Sequence, residues 1–506
     1  MGDRGFRGDT RGPRRFTPSR DILASVNDLR FPLALSYDDV LLVPQRSDIA
    51  SRRDIDTSCQ FTRNVQLAVP IVSANMDTVT EADMAIAIAR VGGIGVIHRF
   101  LTVAEQVRAV ARVKRAEALV IEDPFTVPVT LTVGEAIAEM RLRSVSGLVV
   151  VGGDGRPVGI VTARDTRLQD DPSRSVREVM TPAERLVTAP VGISSDDAAL
   201  RMRDARVEKL PLLGADGRLA GLITLRDLIQ RSERPNATKD DRGRLAVAAA
   251  IGVRGDHLER AAALAEAGAD ALVLDIAHGH MDQALDAIGQ VRDAAPGLDI
   301  VAGNVATAAG ARDLIAAGAD GVKVGVGPGS ACTTRLVAGV GVPQLSAVIA
   351  CAEVCNAAGV PLIADGGIRY GGDLAKAIGV GADTVMVGNL LAGTTESPGR
   401  VVSRNGSRVK VFRGMASAGA AESRRSIDTP DAPADDIDFS PVPEGVEAVV
   451  QLRGDAAGVV SDLVGGLRSG MSYTNARSIM EMKERAQFVR ITPAGLVESR
   501  PHDVTM

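Results

Sequence analysis

From residue 245 onward the chain alternates short, continuously apolar runs with longer helical stretches, and this alternation restricts the fold more than any other feature. The runs are 245–251 (LAVAAAI), 271–275 (ALVLD), 299–303 (DIVAG), 321–324 (GVKV), 361–364 (PLIA) and 384–387 (TVMV). A strand with one solvated face alternates apolar and polar residues, whereas continuous hydrophobicity marks strands covered on both faces. Ala267-Gly-Ala-Asp270, Ala317-Gly-Ala-Asp320 and Val380-Gly-Ala-Asp383 recur at helix-to-strand junctions, where glycine ends the helix. Two earlier runs, 68–74 and 92–98, bring the strands to eight. Eight βα units predict an α/β fold, a (β/α)8 TIM barrel, with its site at the C-terminal ends of the strands. A doubly wound sheet is the alternative, but no GxGxxG motif opens the first helix.

Between the second and third strands an internal repeat interrupts this pattern. Leu148–Asp165 (LVVVGGDGRPVGIVTARD) returns as Leu210–Asp227 (LPLLGADGRLAGLITLRD). Each copy predicts strand, Asp-Gly turn, strand and helix. The chain then divides into a basic tail at 1–27, the first part of the barrel at 28–119, the repeat at 120–232, the second part of the barrel at 233–490 and a C-terminal tail at 491–506. The first tail holds arginine, glycine and proline with almost nothing to bury, and is expected to be disordered.

Composition admits this arrangement and excludes others. A chain of 506 residues with 45% apolar content suffices for one large domain and a smaller one. A net charge of −5 creates no field that would draw the protein to nucleic acid or a membrane, and Asp3 and Asp9 dilute the arginines of the tail. No apolar run reaches the roughly 18 residues of a membrane span and the N-terminus lacks a signal-like apolar core, so a cytoplasmic location is expected. Four cysteines, at 59, 332, 351 and 355, make no disulfide framework, and a reactive thiol needs a reducing compartment. Cys351 and Cys355 stand one helical turn apart without flanking His or Cys partners, which predicts core packing rather than a metal site.

Cys332 is different. It lies in Gly325–Arg335 (GVGPGSACTTR), directly after an apolar strand. The glycines let the backbone turn its N–H groups toward an anion, and Ser330 and Thr334 add hydroxyls. This predicts a thiol nucleophile on a phosphate-binding loop, reactive as the thiolate when an N–H array or a cation lowers its pKa. A free cysteine is by default a small buried hydrophobe, but small polar residues and glycines flank this one. Residues just after the other strands complete a candidate site: Ser73 and Asn75, Asp275, Asn304, Asp365-Gly366-Gly367, and Gly388-Asn389. Asp365 suits a ribose diol, since a carboxylate can accept both hydroxyl protons, and Gly366, Gly367 and Gly388 suit a phosphate. Aspartates and glycines at strand ends also cap and turn, which is the structural alternative.

The loop GVGPGSACTTR, followed by LVAGVGVPQLSAV, closely resembles the catalytic loop of the IMP dehydrogenase and GMP reductase superfamily, and LSYDDVLLVP at 35–44 resembles its N-terminal segment. The resemblance covers nearly the whole chain after about residue 30. It implies that Cys332 attacks C2 of a purine nucleoside monophosphate, that Thr334 protonates or steers leaving ammonia, and that Ser330 holds the phosphate. It further implies that Gly414, Met415 and Glu444 meet the nucleotide and that Asp275 lies near a nicotinamide cofactor, NADPH or NAD. Carbonyls of Gly327, Gly329 and Cys332 would bind a monovalent cation, potassium. Two positions depart from the family pattern: Asn389 replaces a phosphate-binding Ser, and Phe412 a phosphate-binding Tyr. The repeat resembles a tandem CBS domain, in which Thr162/Asp165 and Thr224/Asp227 would touch a regulatory adenine or guanine nucleotide; helix capping is the alternative for both aspartates. A homotetramer that stacks into octamers through these modules is also implied.

The two family reactions differ in whether water is activated. In the dehydrogenases a mobile flap supplies an Arg-Tyr pair for this, and the corresponding stretch here, 418–441, contains no tyrosine. Arg424 and Arg425 offer guanidinium groups, which are poor bases unless specially placed. Ala74-Asn-Met-Asp77, PQLSAV and GMAS are reductase-like, while VTEA, IADGGIRYGGD, VPEGVE and the tail VRITPAGLVESRPHDV are dehydrogenase-like. Where reductases often place a glutamate after this segment stands Ala418, with Glu422 four residues on. GMP reductase is the expected activity and IMP dehydrogenase the alternative. Action on another purine nucleotide comes third, and a non-catalytic nucleotide sensor is the reading from a different class. Retention of Cys-Thr-Thr-Arg argues against a sensor, which needs no nucleophile.

Overall fold

The computed structural model describes residues 32–116, 120–143, 145–167, 169–428 and 442–501, with the backbone alone at 230–233 and 425–428. The expected tail at 1–27 and the later part of the 418–441 stretch lie outside the described residues.

Eight parallel strands close into a barrel. They are β1 (Ile71–Ser73), β2 (Ile94–Ile97), β3 (Val247–Ile251), β4 (Ala271–Asp275), β5 (Asp299–Val305), β6 (Gly321–Val324), β7 (Leu362–Asp365) and β8 (Thr384–Val387). The interruption after β2 leaves the ladder intact, since Val247–Ala249 pair with Gly95–Ile97. Pairing of Val385–Val387 with Ile71–Ser73 shuts the cylinder. Every residue of β2, β3, β6 and β8 is buried, which is why these runs are apolar without alternation. The first run is shorter than its hydrophobicity suggests: Pro70 has no N–H, and its carbonyl accepts the Val385 N–H at 3.0 Å just before the strand begins.

The recurring Gly-Ala-Asp junctions do more than end helices. Gly268, Gly318 and Gly381 take φ of +89°, +105° and +117°, turning the chain toward the next strand. The aspartate two residues on then accepts an N–H at the start of the preceding strand: Asp270 from Val247 at 2.7 Å, Asp320 from Ile300 at 3.0 Å and Asp383 from Leu362 at 2.9 Å. Each carries a cation as well, namely Lys114, Arg292 and Lys483, all at 2.6 Å. At the end of the barrel where strands begin, one motif therefore satisfies donors that the ladder leaves open.

Outside the barrel a three-stranded antiparallel sheet forms from Val401–Arg404, Ser407–Arg413 and Glu447–Gln451, an element the apolar pattern did not announce. Val40–Leu42 pairs antiparallel with Phe488–Arg490, and the expected C-terminal tail carries a short helix, Pro493–Glu498. The repeat forms two sheets, one of Thr126–Pro128, Gly147–Val151, Pro157–Thr162 and Thr181–Pro182, the other of Ala189–Pro190, Lys209–Leu213 and Leu219–Thr224. Their hairpins turn at Gly155 and Gly217, at φ of +77° and +78°. The copies share an apolar contact of Val149, Ile160 and Leu222, and Arg156 Nη2 donates to the Asp216 carbonyl at 3.1 Å. No described helix is long and apolar enough to cross a membrane.

Candidate active site

The glycine-rich loop that carries Cys332 leaves β6 at Gly325, where the backbone passes so close to β7 that a Cβ would lie 2.2 Å from the Asp365 carbonyl oxygen. Gly327 follows at φ +89°. The turn lifts Cys332 to the surface of the loop, with its thiol exposed, its Sγ 3.2 Å from Thr334 Oγ1, and its N–H donating to the Gly329 carbonyl at 3.1 Å. Two neighbouring segments hold the loop. Thr333 N–H donates to the Glu444 carbonyl at 2.8 Å, Val446 N–H to Ala331 at 2.9 Å, and Gly414 N–H to Val446 at 3.0 Å.

The other three thiols are buried, as Cys351 and Cys355 were expected to be. Burial pushes Cys351 and Cys355 up to about 12 and holds Cys59 well above the ordinary thiol range. An alkylating reagent at pH 8 is therefore expected to add one equivalent, at Cys332, by intact mass and peptide mapping of the folded protein. Labelling of Cys351 or Cys355 before unfolding would contradict this.

Cys332 faces a cavity of ≈ 790 Å³ that collects residues from both ends of the chain. The β6 loop contributes Gly327, Gly329, Ser330, Cys332 and Thr334. Strand ends contribute Asn75, Asp275, Asn304, Asp365, Gly366, Gly367, Gly388 and Asn389. The sheet outside the barrel adds Phe412, and the segments flanking its strands add Gly414, Met415 and Glu444, which the barrel alone could not supply. Arg413 ties these parts together, donating from Nε to Asp77 Oδ2 at 2.8 Å and from Nη2 to Ser423 Oγ at 3.0 Å.

Not every candidate arrives there. Ser73 is fully buried, its Oγ accepting from Thr80 Oγ1 at 2.9 Å, and it does not line the cavity. Glu422 is exposed on the helix Ala418–Asp428, away from the cavity wall. Arg424 sits nearer, its guanidinium 5.6 Å from the centre of the Phe100 ring, which does line the cavity; the side chain of Arg425 lies outside the described residues. In the repeat, Thr162 N–H and Oγ1 donate to Asp165 at 2.8 and 2.7 Å, and Asp227 N–H donates to Thr224 Oγ1 at 3.3 Å. Both pairs close the first turns of helices, the alternative raised for them.

Sequence reasoning missed Arg99 and Phe100, which line the cavity, and above all Lys323. It is the one charged side chain in an otherwise apolar β6, 2% exposed, and its ammonium reaches Asp365 at 3.0 Å, Asp275 at 3.3 Å and Asn304 Oδ1. Burial alone would lower its pKa, but the Asp365 and Asp275 carboxylates outweigh that and hold it above the ordinary lysine value. It is therefore charged at neutral pH. The lysine inside GVKV was visible as a signal, since buried lysines are rare unless paired.

The Asp275 side of the cavity offers a polar and an aromatic contact of the kind a dinucleotide cofactor needs. Arg99 Nε is buried there without a hydrogen-bond partner among the described residues, 4.0 Å from Asp275 Oδ2, and Phe100 adds an aromatic ring beside it. An unpaired donor of this kind suits a polar ligand.

An exposed thiol on a glycine-rich loop, at the mouth of a βα barrel and facing a nucleotide-sized cavity, is the arrangement of a barrel enzyme with its site at the C-terminal ends of the strands. Residues 34–502 match the model of the IMP dehydrogenase / GMP reductase domain, and the chain belongs to that family of oxidoreductases. It is 47% identical over 478 residues to an inosine-5'-monophosphate dehydrogenase of Nitrosopumilus maritimus, covering 94% of this chain and 100% of that one. It is 49% identical over 487 residues to a GMP reductase of Leishmania major, covering 94% and 98%. Among solved structures, a GMP reductase of Trypanosoma brucei in complex with guanosine 5'-monophosphate superimposes with a TM-score of 0.88 at 47% identity, covering 94% of this chain and 99% of that one.

Proposed function

We propose that the protein is a GMP reductase, converting GMP to IMP and ammonia with NADPH. The observation that carries this reading is the pairing of an exposed Cys332 with Thr334 at 3.2 Å, taken with a sequence at 418–441 that lacks any tyrosine to help activate water.

In this reading Asp365 receives the ribose hydroxyls, while Ser330 and the backbone at Gly366, Gly367 and Gly388 receive the phosphate. Asn389 and Phe412 stand where the family usually has hydroxyls, so the phosphate rests more on backbone donors and Ser330. Met415 and Glu444 meet the purine, with Asn75, Asn304 and Gly414 completing the nucleotide wall. The Cys332 thiolate attacks C2, and the C2–N bond breaks as the amine takes a proton through the Thr334 hydroxyl and leaves as ammonia. The C–S bond then breaks as C2 gains a hydride, which is the chemistry a bound reduced nicotinamide supplies. Net, one hydride and two protons are taken up, and IMP, ammonium and the oxidised cofactor are released. Asp275, Arg99 and Phe100 would hold the cofactor, and the carbonyls of Gly327, Gly329 and Cys332 a potassium ion.

The same reading makes 120–232 a tandem CBS module taking an adenine or guanine nucleotide near Thr162/Asp165 and Thr224/Asp227, in a cytoplasmic homotetramer or octamer. IMP dehydrogenase is the second reading, favoured by the Arg424 guanidinium beside Phe100.

Mixing the protein with GMP plus NADPH, and separately with IMP plus NAD, tests the two directly through absorbance of the reduced cofactor. Loss in the first mixture is the expected result. Gain in the second alone would replace the reductase by the dehydrogenase, and silence in both would leave a nucleotide sensor.

A further inference from the structure

Every proton on the Lys323 ammonium is directed at a group on a barrel strand: Asn304 Oδ1, Asp365 Oδ2 at 3.0 Å and Asp275 Oδ1 at 3.3 Å. No step of the proposed chemistry uses this lysine. Its partners are held in a telling way. Asp365 Oδ2 also accepts from Asn304 Nδ2 at 2.9 Å, so the lysine and the amide converge on one oxygen while Oδ1 receives no side-chain donor among the described residues. Asp275 is similar, with Oδ1 on Lys323 and Oδ2 4.0 Å from Arg99 Nε. A carboxylate pinned through one oxygen presents the other in a fixed place, and a fixed acceptor loses less orientational freedom when a ligand arrives.

We propose that Lys323 is a positioning residue for both ligands, aiming Asp365 at the ribose diol of the nucleotide and Asp275 at the nicotinamide cofactor from a single buried ammonium. This rests on the purine-nucleotide reading above. Asp365 and Asp275 lie 90 residues apart in the chain, so the lysine between them is what gives the two subsites a common mount.

The test compares GMP with 2'-deoxy-GMP by calorimetry without cofactor, in the wild-type chain and in Lys323→Met and Lys323→Arg. Wild type is expected to favour GMP by about tenfold or more, the worth of a hydrogen bond to a charged acceptor. Lys323→Met is expected to narrow that preference to about twofold while raising the KM for NADPH about tenfold, and Lys323→Arg to restore most of both. If Lys323→Met does not fold, Lys323→Gln, uncharged but still a donor, carries the same comparison. A folded neutral variant that keeps the full preference, or that weakens both nucleotides equally, would overturn the proposal. Wild type that binds GMP and its deoxy form alike would also overturn it, whereas wild type that binds no purine nucleotide would sink the underlying function as well.

Discussion

Cys332→Ser is expected to lower kcat by at least about a thousandfold while leaving GMP affinity within a few-fold of wild type. A serine hydroxyl has almost no ionised fraction at neutral pH, and no described base lies positioned to deprotonate it, so the nucleophilic step loses its reagent. Binding should survive because most groups proposed to hold ribose and phosphate sit on other loops, at Asp365, Gly366, Gly367 and Gly388, and Ser330 is left unchanged. Steady-state turnover and calorimetry on one preparation separate the two quantities. Turnover above about a tenth of wild type would remove the covalent step from the mechanism.

Gly325→Ala should have the second largest effect, and through a different cause. The added methyl would lie 2.2 Å from the Asp365 carbonyl oxygen, which belongs to a barrel strand and has little room to retreat. Either β6 and β7 separate or the loop shifts, at a cost of about 3 kcal/mol, the upper end for overpacked cores. The expected result is a fall in Tm of several degrees together with loss of most activity, because Cys332 and Asp365 are displaced from one another. Retention of both wild-type melting and wild-type turnover would mean that the close approach at this position is unimportant.

Much of the barrel was legible because burial on both faces writes itself as uninterrupted apolar sequence, and because Gly-Ala-Asp repeats where strands restart. The Cys332 loop was legible for the opposite reason: small, polar and glycine-rich residues stand where the pattern leads one to expect packing. What escaped notice depended on convergence in space. Lys323 meets Asp275, Asn304 and Asp365 across 48, 19 and 42 residues of chain, and nothing local marks those three as its neighbours. The sheet of 401–404, 407–413 and 447–451 was hidden because its first strand is exposed along its whole length, Val401 and Val402 included, so no long buried apolar run marks it. Ser73 and Asn75 were equally plausible by position, yet only Asn75 reaches the cavity; Ser73 instead bonds Thr80 behind the strand.

The aspartates that follow each Gly-Ala turn, with their lysine and arginine partners, act as rivets along the underside of the cylinder. Such fastening asks nothing of whatever occupies the opposite rim. Chemistry at the top can drift, from oxidation to reduction or from one nucleobase to another, while the chassis beneath stays bolted.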